Sequence, residues 1–216
     1  MTIELHKEIK NLKIKVLEMG YLAMEMLEGA MKSLMSRNLD LAKFIDQKKF
    51  ELRDFDDEIE SEALKLIALY QPMAIDLRRI ATILKMITYL TRIGRYGKDI
   101  AKVTQETANI SSPPVPININ HMWEHVQHMI KTVLEAFDKS SIEKIHDFEE
   151  RDDEVDKLRW AVFRECITYM MEDPKSITVY AHYLMIARYL ERCGDHACKM
   201  AEKIHYMVTG NHIEIS

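Results

Sequence analysis

The chain has 216 residues, of which 47% are apolar and 30% charged, and this composition excludes an intrinsically disordered protein. A formal net charge of −5 gives no electrostatic basis for non-specific binding to nucleic acid or to an anionic membrane. The start of the chain lacks the apolar core of a signal peptide, and apolar runs stay below the roughly 18 residues of a membrane span. The three cysteines form no CxxC pair. We therefore expect a cytoplasmic protein without membrane insertion.

Prolines mark the ends of the predicted helices. All 5 prolines fall at three places, at position 72, within 113–116 and at position 174, and proline breaks helix interiors. Further breaks are expected at 36–40, where Asn38 or Asp40 can cap the next helix, and at 139–141, where a serine can do so. The predicted helices span roughly 4–36, 39–71, 74–109, 119–139, 141–172 and 175–209.

Apolar residues in these segments recur at alternating spacings of three and four, as in helices that pack side by side in a bundle. The first predicted helix shows this pattern from Leu5 to Ala30, and the sixth repeats it from Ile186 to Ile204. No stretch alternates convincingly enough for a strand. The pattern predicts an all-α fold.

The two halves of the chain resemble each other. Asp56-Asp57-Glu58-Ile59 is echoed by Asp152-Asp153-Glu154-Val155, and Tyr89-Leu90-x-Arg92-x-Gly94 is echoed by Tyr189-Leu190-x-Arg192-x-Gly194. We predict six long helices forming two tandem three-helix bundles related by internal duplication. The first repeat would span 1–112 and the second 117–216, with a proline-rich linker at 113–116.

In the second half, two pairs of acidic residues have a spacing of four. Asp152 and Asp156 lie in the fifth predicted helix, and Glu191 and Asp195 in the sixth. This spacing places both members of a pair on one helix face, and the turn near Pro174 brings the pairs to the same height. Four converging carboxylates repel one another unless a hard, oxygen-preferring cation binds them. The open alternative is a solvated acidic stripe.

The first half preserves only part of this pattern. Its third helix has Thr91 and Arg95 where the second half has carboxylates. An arginine at this point predicts an ion pair with a carboxylate instead of a metal ligand. A weaker, degenerate first-repeat site would consist of Asp56, Glu60 and Asp99.

Two other histidine patterns are candidates. His121, His125 and His128 share a face of the fourth predicted helix, although an exposed polar face explains them more simply. Two ExxH elements, Glu143 with His146 and Glu202 with His205, match those of ferritin-like di-iron bundles. Such a site needs two further glutamates in the bundle interior, and none is evidently placed there.

Three passages resemble the PhoU family, regulators associated with phosphate-specific transport. Residues 69–80 are similar to the turn of the family's first repeat and residues 171–174 to that of its second. Residues 187–196, Ala-Arg-Tyr-Leu-Glu-Arg-Cys-Gly-Asp-His, are similar to the family's ExxxD signature. The resemblance extends over essentially the whole chain, including its length and its duplication.

The resemblance implies a non-enzymatic, negative regulator that represses the phosphate-starvation response when phosphate is plentiful. It implies two partners, the ATPase subunit of a phosphate ABC transporter and a sensor histidine kinase, and it implies a homodimer. It further implies metal ions or clusters, so that we expect Fe, Mn, Mg or Zn on the second-repeat carboxylates. The departures at Thr91 and Arg95 make a symmetric first-repeat cluster unexpected.

Two other functions stay open at this point. One is a metal-binding or di-iron helical bundle with oxidase or storage activity, which the ExxH elements suggest. The other is a helical interaction module without metal.

Overall fold

The computed structural model describes residues 2–110 and 114–215, and no strand occurs among them. Seven α-helices account for most of these residues, together with one turn of 3-10 helix at Pro174–Ser176. The helices are α1 (Thr2–Ser36), α2 (Leu39–Gln47), α3 (Lys49–Tyr70), α4 (Ala74–Thr107), α5 (Ile117–Lys139), α6 (Phe148–Glu172) and α7 (Ile177–Thr209). The predicted all-α fold is confirmed.

The second predicted helix is divided into α2 and α3 at Lys48. Of the two predicted caps, Asn38 is the one that caps α2, and its side chain accepts a hydrogen bond from the Leu41 backbone N–H at 3.0 Å. At Lys48 the backbone N–H donates to the carbonyl of Ile45, three residues back, instead of four as in an α-helix. The side chains of Ile45 and Leu52, on either side of the break, are both buried.

The fifth predicted helix begins later than expected, at Phe148 instead of near 141. Between these positions the chain forms turns in which side chains compete for backbone groups. The Ser141 hydroxyl accepts from the Glu143 backbone N–H at 3.3 Å, and His146 Nδ1 lies 2.8 Å from the Glu143 carbonyl oxygen. Ile145 is buried and anchors this connection to the core.

The helices form two bundles, α1 with α2, α3 and α4, and α5 with α6 and α7. The bundles join where α4 packs on α7 and α1 on α5. Of the predicted linker, residue 113 lies outside the described residues, and 114–116 are non-helical. The repeat boundaries at 112 and 117 stay predictions.

A glycine determines how closely the first bundle packs. A Cβ atom at Gly97 on α4 would lie 2.8 Å from the backbone N of Leu27 and the backbone C of Met26, both on α1. Such contacts are shorter than van der Waals distances, so α4 approaches α1 this closely only because position 97 has no side chain.

The junction between the repeats contains four stacked rings. Tyr89 lies 5.7 Å from His196 between ring centroids, and Tyr96 lies 5.5 Å from Tyr189. The two repeats correspond at an offset of 100, so position 89 matches 189 and position 96 matches 196. Each stacked pair of rings therefore joins one ring of the first repeat to one ring of the second. Burial, followed by repulsion from the nearby Arg92 and Arg192, lowers the pKa of His196 to about 4. The imidazole is therefore neutral at physiological pH.

None of the described helices combines the length and the apolar character needed to cross a bilayer.

Candidate functional site

Two of the four second-repeat carboxylates lie close together. Asp152 on α6 and Asp195 on α7 face each other beside Gly194. A Cβ atom at position 194 would lie 3.6 Å from Asp152 Oδ1. Partial burial, followed by repulsion from Asp195, raises the pKa of Asp152 from 3.8 to about 6. The turn at Pro174 therefore brings one residue from each predicted pair into electrostatic contact.

Glu191, by contrast, is held by arginines. Only 8% of this residue is exposed. Its Oε1 lies 3.3 Å from Nε of Arg159 on α6, and its Oε2 accepts a close hydrogen bond from Arg188, one turn earlier on α7. Arg159 also stacks over the Trp160 ring at 5.0 Å. The charge of Glu191 is thus already compensated by protein cations.

The other two carboxylates face solvent to different degrees. Asp156 is exposed, and Asp195 is partly exposed and pairs with Arg192 at 3.3 Å. Within 2–110 and 114–215, no three His, Cys, Asp or Glu side chains come together closely enough to hold a metal ion. As positioned, the four predicted ligands do not fit one cation. Metal binding stays a prediction, and it requires side-chain rearrangement.

The first-repeat site differs from its expected arrangement. Burial raises the pKa of Asp56, and the Thr91 hydroxyl across the helix interface opposes this shift. Glu60 and Arg95 are exposed, and Asp99 pairs with Lys98 at 3.0 Å. In the described part of the chain, no ion pair within 4.0 Å joins Arg95 to Asp56 or Glu60. The predicted Arg95 bridge is therefore wrong. The exposed Arg95 side chain extends into solvent, where an ion pair would bring little stability.

The ExxH elements are used for structure. Glu202 is buried, and its Oε1 accepts hydrogen bonds from Lys199 Nζ at 2.7 Å and from the Ile215 backbone N–H at 3.0 Å. His205 Nδ1 lies 3.0 Å from the Asn211 carbonyl oxygen. These contacts fold the end of the chain back along α7, and His146 lies in a turn outside the helices. Neither ExxH element presents a free ligand pair.

The remaining histidines and the cysteines also have structural surroundings. His121, His125 and His128 are exposed, and His128 Nδ1 lies 2.9 Å from Arg151. The three cysteines are buried. Burial raises the pKa of Cys166 to about 12, and burial beside Asp152 raises the pKa of Cys198 well above its ordinary value. Such thiols are unreactive.

The sequence pattern missed the arginines around Glu191. Arg188 precedes Glu191 by three residues on one helix, which is a spacing that favours an ion pair and that the sequence displays. Arg159 comes from a different helix, and no spacing rule indicates its contact with Glu191.

Comparisons with known proteins agree with this architecture. The sequence profile of the PhoU domain matches residues 16–104 and 119–204, one match in each repeat. A phosphate-specific transport system accessory protein PhoU homolog of Rhizobium meliloti is 38% identical over 205 residues, covering 94% of this chain and 86% of the relative. A homolog of the same description from Caulobacter vibrioides is 36% identical over 210 residues, covering 96% and 90%.

Solved structures give the same result. The crystal structure of PhoU from Pseudomonas aeruginosa superposes with a TM-score of 0.91 at 29% identity, covering 95% of this chain and 99% of that one. The phosphate transport system regulatory protein PhoU from Streptococcus pneumoniae gives 0.89 at 26% identity, covering 97% and 99%.

The helical architecture and the two profile matches define a duplicated helical bundle. The chain belongs to the PhoU family. The family consists of regulatory accessory proteins and not of enzymes, which agrees with the prediction from the sequence.

Proposed function

We propose that this protein regulates phosphate uptake and represses the phosphate-starvation response as the accessory protein of a phosphate-specific transport system. The observation that carries the proposal is similarity over both repeats to relatives of that description, which this chain matches over 86% and 90% of their lengths. In this proposal the protein is a cytoplasmic homodimer and an adaptor between the transporter ATPase subunit and a sensor histidine kinase.

Exposed apolar side chains support a role in protein–protein contact. Four of them, on α6, recur every three or four residues and therefore share a helix face. They are Trp160, Phe163, Ile167 and Met171, which are 52%, 44%, 38% and 79% exposed. We call these four residues the α6 stripe. Large apolar groups gathered on a surface mark interaction sites in soluble proteins.

Pulldown with the full chain tests the adaptor proposal. We expect the wild type to recover a phosphate-transporter ATPase and a histidine kinase from native lysate, with recovery that changes between high and low phosphate. The Trp160→Ala, Phe163→Ala double variant should no longer recover one of these two partner proteins. The matched control is Phe44→Ala with Phe50→Ala, which removes side chains of similar exposure on α2 and α3. Recovery of neither partner by the wild type would contradict the adaptor proposal.

Cation binding by the second-repeat carboxylates is a separate proposal with its own test. Two facing carboxylates favour a cation, whereas the arginines on Glu191 oppose one. If a cation binds, Mn²⁺ or Fe²⁺ should raise the melting temperature of the wild type, because a ligand of the folded state stabilises it. The increase should disappear in Asp152→Asn with Glu191→Gln and persist in Asp56→Asn. Equal loss from both repeats would contradict an asymmetric site. The oxidase alternative has no supporting observation.

A further inference from the structure

A cavity of about 170 Å³ lies at one end of the molecule, where the two repeats meet. Its walls come from the first part of α1, the start of α4 and the last parts of α5 and α7. Both bundles therefore contribute to one concave surface, and its lining includes neither Asp152 nor Asp195.

The lining of this cavity is strongly basic. Four of its nine lining residues are His6, Lys10, Lys13 and Arg79, and none of the nine is acidic. A second concave surface has a different character, since a cavity of about 310 Å³ is lined by Glu8 and Glu62 together with a lysine. A basic cavity is unexpected in a chain with a net charge of −5.

Neighbouring acidic groups compensate the basic ones only in part. Asp76 lies between His6 Nε2 at 3.0 Å and an Arg79 nitrogen at 3.2 Å, so one carboxylate serves both. Lys13 donates a close hydrogen bond to the Asp138 carbonyl oxygen, and the Asp138 carboxylate is 3.8 Å away. In the described parts of the chain, Lys10 makes no ion pair within 4.0 Å.

The surroundings of Lys13 contain a carboxylate and a second cation. Burial lowers the pKa of Lys13, the Asp138 carboxylate opposes this shift, and Arg79 lowers the pKa again. Lys13 and Arg79 therefore repel each other, although the attraction of Lys13 to Asp138 is the larger effect. A bound anion would relieve the repulsion.

We propose that this cavity binds a phosphate-type oxyanion, either inorganic phosphate or the phosphate group of a small metabolite. Lysine ammonium groups and the arginine guanidinium suit the charge and the oxygen atoms of such an anion, and the Ser140 hydroxyl in the lining is a further donor. The buried side chains of Ile83 and Phe137 form an apolar part of the lining, whereas Lys10 and Arg79 reach solvent. Binding would join groups from both repeats, and it requires no partner protein, so it is independent of the adaptor proposal.

Calorimetric titration of the full chain in phosphate-free buffer at low salt tests the proposal, with inorganic phosphate and AMP as separate probes. We expect saturable binding of at least one of them by the wild type. Lys10→Gln should weaken it about tenfold, as the loss of one charge-assisted hydrogen bond does, and Lys10→Gln with Arg79→Gln should weaken it further. Lys43→Gln removes a charge on α2 that is also exposed and should leave the affinity unchanged.

Tighter binding of inorganic phosphate would identify the free anion as the ligand, and tighter binding of AMP would identify a phosphorylated metabolite. Loss of Arg79 also removes the contact with Asp76, so circular dichroism melting must accompany the double variant. Lys10 makes no such contact, and Lys10→Gln therefore tests the site without this complication. Absence of saturable binding of both probes to the wild type would overturn the proposal, as would equal affinity in Lys10→Gln and Lys43→Gln.

Discussion

In both repeats an aspartate on the middle helix faces the last helix, but the side chain opposite it differs. In the second repeat, Asp152 on α6 faces the carboxylate of Asp195, and its pKa rises to about 6. In the first repeat, Asp56 on α3 faces Thr91, whose hydroxyl opposes the effect of burial on the pKa. The duplication therefore kept the scaffold while the electrostatics of the helix interface diverged, and a property of one repeat does not transfer to the other.

Glycines show the same divergence in packing. Gly94 and Gly194 occupy corresponding positions, but a Cβ at Gly94 would lie 2.5 Å from Leu52 Cδ2, whereas one at Gly194 would have no neighbour closer than 3.6 Å. Position 97 is glycine, whereas the matching position 197 is alanine. The last helix of the first repeat, α4, thus packs more closely on its neighbours than α7, the last helix of the second repeat, does.

The largest expected effect is that of Gly97→Ala. The added methyl group would lie 2.8 Å from α1 backbone atoms, which cannot rotate away as a side chain can, so α1 and α4 must separate. We expect a loss of about 3 kcal/mol in the free energy of unfolding, measured by urea denaturation. A loss below about 1 kcal/mol would show that the two helices move apart easily, and it would remove the packing difference between the repeats.

The next effect concerns the arginines that compensate Glu191. Arg159→Gln with Arg188→Gln leaves the buried carboxylate of Glu191 without its cations. We expect the free energy of unfolding to fall by about 2 kcal/mol. This is less than for a fully buried pair, because both arginines are partly exposed. In the first repeat, Arg95→Gln should change stability by less than about 0.5 kcal/mol. Urea unfolding at pH 7 measures both. Similar losses in both variants would contradict the asymmetry.

A smaller effect should appear in the pH dependence of stability. The pKa of Asp152 is about 6 in the folded protein and is ordinarily 3.8, so the folded state binds this proton more tightly than the unfolded chain. The stabilisation from this group is therefore complete below about pH 4 and is lost as the pH rises through about 6. Asp152→Asn should remove this loss and raise the stability at pH 7 by about 1 kcal/mol, after allowance for partial exposure.

Thermal melts between pH 4 and pH 8 measure this change, and Asp56→Asn is the matched variant of the first repeat. Its stabilisation at pH 7 should be smaller, because the Thr91 hydroxyl lies beside the carboxylate. If Asp152→Asn destabilises the protein at pH 7 in the absence of added metal, the repulsion between Asp152 and Asp195 is not the dominant interaction of that carboxylate.

Sequence periodicity and proline placement predicted the helices and the repeat well, since both depend on local rules. The spacing also placed Asp152 opposite Asp195 through the turn at Pro174. It did not predict the break at Lys48, where neither proline nor glycine interrupts the helix. It did not predict the contact of Arg159 with Glu191 or the basic cavity, because each depends on how separate helices dock.

The smallest expected effect is that of Gly194→Ala, the counterpart in the second repeat of the crowded glycines in the first. An added Cβ would meet Asp152 Oδ1 and Val155 Cγ1 at 3.6 Å, which is ordinary van der Waals contact. Alanine loses less conformational freedom than glycine when a helix forms, so without a steric penalty the substitution should stabilise the protein by about 0.5 kcal/mol in urea unfolding. The new methyl group also displaces water from Asp152, so part of this gain should be lost above pH 6, where the carboxylate is charged. A clear loss of stability at pH 4 as well would show that α6 and α7 are as tightly packed as α1 and α4, and the comparison between the repeats would then fail in its packing part.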